Sequence, residues 1–155
     1  MQLRLSVLAA ICAASIPVVT FAEPPPPAWS YTGKDSPEHW GDISPVYATC
    51  RLGKNQSPVD LSTVEATADN SAKFHYEPLL YTVEHNGHTI QATPAESVQA
   101  LHLGDKVFAL KQFHFHTPSE HTFLSKYFPM EAHFVHQSEA GELAVLAVMF
   151  EEGKE

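Results

Sequence analysis

Residues 112–116 read QFHFH, polar and aromatic side chains in strict alternation. Side chains alternate faces along a β-strand, so Gln112, His114 and His116 share one face while Phe113 and Phe115 share the other. This pattern predicts a sheet with one aromatic face and one face lined by imidazoles. Residues i and i+2 lie ~7 Å apart along a strand. Two rings that lean together can meet one ion at ~2.0–2.1 Å.

A second stretch, EAHFVH, repeats the alternation and puts Glu131, His133 and Val135 on one face. A neighbouring strand would bring His133 to the same ion. Three histidines with an open fourth position is the arrangement of a catalytic rather than a structural zinc. Ligating imidazoles usually give their other ring nitrogen to a carboxylate or carbonyl. Glu131 is placed to orient His133, and the amide oxygen of Gln112 to serve His114. The plainer alternative is that His-x-His marks an exposed strand with no ligand.

The rest of the chain reads as β. Asn86-Gly87 signals a hairpin within YTVEHNGHTIQA. Gly104-Asp105 marks a turn between two more strands, and SEAG joins Glu131–His136 to Leu143–Phe150. Leu143–Phe150 is apolar throughout, the pattern of a strand buried on both faces. No long helical period and no repeat is present. The fold class is mainly β: one domain on a large, mostly antiparallel, twisted sheet with short helices and loops around it. The opening AWSYTGKDSPEHWG reads as an irregular arm pinned by Trp29, Tyr31 and Trp40.

Met1–Ala22 reads as a cleaved secretory signal: an early Arg4, an apolar run, then small residues. The run is broken by Ser15 and Pro17 and is short of the ~20 residues a membrane span needs. The expected location is periplasmic or secreted, with no membrane attachment after cleavage. Residues 23–28 form a Pro-rich linker, and residues 29–155 the domain. The charge of −9 speaks against nucleic acid or an acidic lipid surface as partner. Cleavage would leave Cys50 as the lone cysteine, an odd count for an exported protein.

Taken in order, GKDSPEHWG, NQSPVDL, NGH, QFHFH and SEHT followed by EAHFV resemble the alpha-class carbonic anhydrases, from Trp29 to the last residue. The resemblance implies Zn2+ as cofactor on His114, His116 and His133, with Gln112, Glu131 and a buried His121 supporting them. It implies reversible hydration of carbon dioxide to bicarbonate through zinc-bound hydroxide. His88 matches the proton shuttle, and Glu120 the acid that orients a threonine. Val135 and Val145 match the apolar wall of the substrate pocket, and Tyr31 and Gln91 its polar lining. Phe123 stands where the family usually has an aliphatic residue.

Family members continue well past residue 155. The threonine partner of Glu120, a disulfide partner for Cys50 and a neighbour for Leu143–Phe150 would lie in that continuation. The expectation is an incomplete chain with little activity. Two rival readings are a cupin-type metal protein with Glu120 as a ligand, and a non-catalytic zinc-binding module. The glycines that flank cupin motifs are missing here.

Overall fold

The computed structural model describes residues 27–64 and 72–154. The signal read at residues 1–22 and most of the Pro-rich linker lie outside the described residues. Seven of the nine described strands form one antiparallel sheet. They are β1 Ala72–His75, β2 Tyr81–His85, β3 Ile90–Pro94, β4 Ala100–Leu103, β5 Lys106–His116, β8 Met130–Gln137 and β9 Leu143–Phe150. The sheet is built around β5. Its first half pairs with β4, and its second half pairs with β3; β8 runs along the opposite edge, with β9 outside it. The turns predicted at Asn86-Gly87, Gly104-Asp105 and SEAG join these strands. Gly87 and Gly104 take φ of +97° and +59°, which side-chain-bearing residues rarely adopt.

A bulge decides which side chains face the site. The β5–β8 register shifts between Leu110 and Gln112, leaving Lys111 without an opposite residue. Leu110 lies opposite His136, Phe113 opposite Phe134 and Phe115 opposite Ala132. The partners 132, 134 and 136 share one face of β8. Phe108 and Leu110 before the bulge therefore point the same way as Phe113 and Phe115 after it. The extra residue shifts the parity of the strand. It turns Gln112, His114 and His116 together to the other face.

The apolar face holds the core. Ala92, Leu101, Phe108, Leu110 and Ala132 are buried there. Phe113 stacks on Phe134 with ring centres 5.1 Å apart and meets the edge of Tyr81 at 5.3 Å. His136 is also on this side at 0% exposure, with Nε2 2.6 Å from the Tyr76 hydroxyl.

The arm crosses the imidazole face. It consists of short 3-10 turns and two four-residue helices, α1 Trp40–Ile43 and α2 Thr49–Leu52. Trp29, Tyr31 and Trp40 pack edge to face at 5.0–5.8 Å, the pinning expected of them. Trp40 Nε1 donates to the carbonyls of Ser30 and Asp35. Gly41 is needed where the helices touch, since a Cβ there would lie 2.4 Å from Arg51 Cβ.

Two further features complete the fold. No residue of β9 is buried, and Leu143 and Val145 are 67% and 53% exposed. β8 covers one edge of β9 as predicted, but no described strand covers the other. A small second sheet, β6 Thr122–Phe123 with β7 Lys126–Tyr127, also forms. Its turn places Leu124 and Ser125 at φ of 50° and 60° without a glycine. The Asp60 carboxylate accepts the Ser125 N–H at 2.7 Å and holds that turn.

Candidate metal centre

The register lays the site out in rows. Gln91, His114, His133 and Ala147 stand side by side across β3, β5, β8 and β9. One step along, His116 faces Glu131 and then Met149; one step the other way, Gln112 faces Val135 and then Val145. Alternation puts all of them on one face.

His114, His116 and His133 each offer a ring nitrogen within 4.8 Å of the others. The remaining nitrogens are engaged. Gln112 Oε1 lies 2.8 Å from His114 Nδ1, and Glu131 Oε1 lies 2.8 Å from His133 Nε2. That leaves His114 Nε2 and His133 Nδ1 for an ion. His116 Nε2 is buried with no hydrogen-bond partner, and its side chain is 9% exposed. A buried polar nitrogen without a partner is costly unless something binds it. Three imidazoles converging on one point suit zinc.

The electrostatics favour the neutral form of His114 and His116. Burial, then the charges of His116 and His133, pull His114 down to about 4. Burial and His133 pull His116 down to about 4, against a smaller opposing pull from Glu131. Glu131 is 0% exposed, and burial alone would push it up. Hydrogen bonds outweigh that and hold it at about 2. The donors are the His121 N–H and ring, the His133 ring and the Glu120 N–H. His121, Glu131 and His133 thus form a hydrogen-bonded chain in which the Glu131 carboxylate is fully engaged by its donors.

Glu120 points into the triad. Its Oε2 lies 3.4 Å from His116 Nε2 and 3.7 Å from His133 Nδ1. Burial raises its pKa, although His133 draws it down. Ser119, a residue the sequence reading passed over, is buried and fixes this loop. Its hydroxyl donates to His121 O at 2.6 Å and accepts from Phe128 N at 2.9 Å.

A cavity of about 520 Å³ opens over the triad. Val145, Ala147 and Glu120 line it from the sheet side, and Trp29, Tyr31, Trp40 and Tyr47 from the arm. Val135 shares the face without bordering the cavity. The Tyr31 hydroxyl is 3.4 Å from His116 Nδ1; burial and the Glu120 charge push it up to about 12. Gln91 bonds Asn86 and Thr93. His88 is exposed, its ring flat on Trp29 at 3.7 Å. It borders a wider opening beside the cavity together with Tyr31, His116 and Glu120. Cys50 is a free, exposed thiol on the cavity rim.

Fold and site together define a class: antiparallel-sheet proteins that gather three strand histidines beneath an aromatic-walled cavity. The model of the eukaryotic-type carbonic anhydrase family matches residues 35–155. The carbonic anhydrase of Neisseria gonorrhoeae is 47% identical over 126 residues, covering 81% of this chain and 50% of that protein. That of Klebsiella pneumoniae is 40% identical over 156 residues, covering 100% of this chain and 62% of that protein. The solved alpha-carbonic anhydrase from Thermovibrio ammonificans, in complex with the inhibitor sulfanilamide, superposes with a TM-score of 0.75. It is 45% identical and covers 84% of this chain and 58% of that one. The chain belongs to the alpha-class carbonic anhydrase family. It spans between half and two thirds of the length of these relatives. The cupin alternative falls with this assignment.

Proposed function

We propose that this chain binds zinc through His114 Nε2, His116 Nε2 and His133 Nδ1, and that it hydrates carbon dioxide reversibly to bicarbonate and a proton. The unpartnered, buried His116 Nε2 beside two other free imidazole nitrogens carries this reading. Zinc at such a site supplies Lewis-acid activation of water near neutral pH.

The chain's own residues do the rest. Gln112 and Glu131 orient the rings of His114 and His133, so that the remaining nitrogens turn toward the cavity. Val145 and Ala147 give a small apolar molecule such as carbon dioxide a surface beside the triad. Glu120 offers an acceptor next to the reacting position. His88 borders the opening beside the cavity, and an exposed imidazole there suits a proton relay to solvent. The N-terminal segment 1–22 has the composition of a secretory signal, which supports export to the periplasm or the medium.

The test is stopped-flow carbon dioxide hydration by the zinc-loaded chain beside a His114→Ala variant. A rate abolished in the variant is the expected outcome. Bound zinc with no hydration would reduce the chain to a zinc-binding module. No bound zinc would contradict the site itself.

A further inference from the structure

Thr89 closes the loop between β2 and β3, next to His88. Asn86 ties the loop internally: its Oδ1 accepts the N–H groups of His88 and Thr89, each at 3.0 Å. Its own N–H donates to Thr89 O at 3.1 Å. The tie between this loop and the sheet is of another kind. The β3–β5 register ends at Gln91 opposite His114. Just beyond, Thr89 Oγ1 accepts the Phe115 N–H at 3.2 Å and donates to Phe115 O. A hydroxyl is both donor and acceptor, so one side chain stands in for a backbone rung. The residue it holds lies between His114 and His116.

We propose that Thr89 is a positioning residue, its hydroxyl anchoring the His88 hairpin to the ligand strand at the residue between two of the histidine ligands. The anchor sets how far His88 stands from the triad. That consequence for proton relay rests on the function proposed above, whereas the anchoring itself does not. Serine keeps the hydroxyl. Valine keeps the shape, but leaves the Phe115 N–H and C=O without their partner.

The experiment compares the whole zinc-loaded chain with T89S and T89V by two readouts. The first is amide hydrogen exchange at Phe115. It is expected to run about tenfold faster in T89V and at the original rate in T89S. An unchanged rate in T89V overturns the anchor, whether or not the chain is active. The second is oxygen-18 exchange between labelled carbon dioxide and water, which separates interconversion from the proton-dependent release of label. In T89V the release step should fall several-fold more than interconversion, and added imidazole buffer should restore it. An equal loss of both steps, unrelieved by buffer, overturns the positioning role. An original chain with no exchange at all contradicts the proposed function, and the amide readout still decides the anchor.

Discussion

Glu131 holds His133 by Nε2 at 2.8 Å, and the same carboxylate accepts the N–H groups of Glu120 and His121. One buried acid thus orients a ligand and fixes the loop that carries Glu120. Replacing Glu131 by Gln keeps the shape but turns an amide N–H₂ toward at least one donor. Zinc affinity should fall by about 10–100-fold. Competition with a chromophoric chelator measures it, and an affinity unchanged within error would remove Glu131 from any orienting role.

The metal-free chain should lose stability in a defined pH window. His114 and His116 titrate at about 4 in the fold against an ordinary 6.5. As pH falls from about 6.5 toward 4, the unfolded chain binds protons that the folded chain refuses, so stability drops there and is level above. Glu131, at about 2 against an ordinary 4.5, adds a further loss below that. Urea midpoints across the range should show the slope, and replacing both histidines by Asn should flatten its upper part.

His136 lies on the opposite face from the triad, and the Tyr76 hydroxyl is the hydrogen-bond partner of its Nε2. Its Nδ1 has none. Tyr76→Phe leaves the buried ring with both nitrogens unpaired, at a cost of about 1–3 kcal/mol. Chemical denaturation should register that loss while zinc affinity stays as it was. A parallel fall in zinc affinity would show that the two faces are coupled.

Among the described residues no strand pairs with the outer edge of β9, beside exposed Leu143 and Val148. Such an edge favours association with another strand. Replacing both residues by Lys should shift sedimentation toward monomer at high protein concentration. Equal association in both proteins would clear this edge.

The strand alternation at 112–116 and 131–135 made the site's shared face legible, because period two is a local property. The register that sets His114 opposite His133 was not, since strand pairing is settled by distant contacts. A sign of the bulge was available. The apolar positions run 108 and 110, then 113 and 115, a change of parity that needs one extra residue. The hairpin at Asn86-Gly87 announced itself by its glycine, whereas the β6–β7 turn at Leu124-Ser125 carries no turn signal and depends on Asp60 from far along the chain. Trp29 was legible as an anchor of the arm, but its stack with His88 joins residues 59 positions apart. The apolar run of β9 marked a strand with Glu131–His136 as its one neighbour here, and its open, exposed outer edge among the described strands agrees with that reading.

X-ray absorption at the zinc edge of the reconstituted chain tests the central claim most directly. The account predicts one zinc per chain, with three imidazole nitrogens at ~2.0–2.1 Å and one oxygen donor, and a shell that loses an imidazole in His116→Ala. An oxygen-dominated shell, or one indifferent to that substitution, would contradict it.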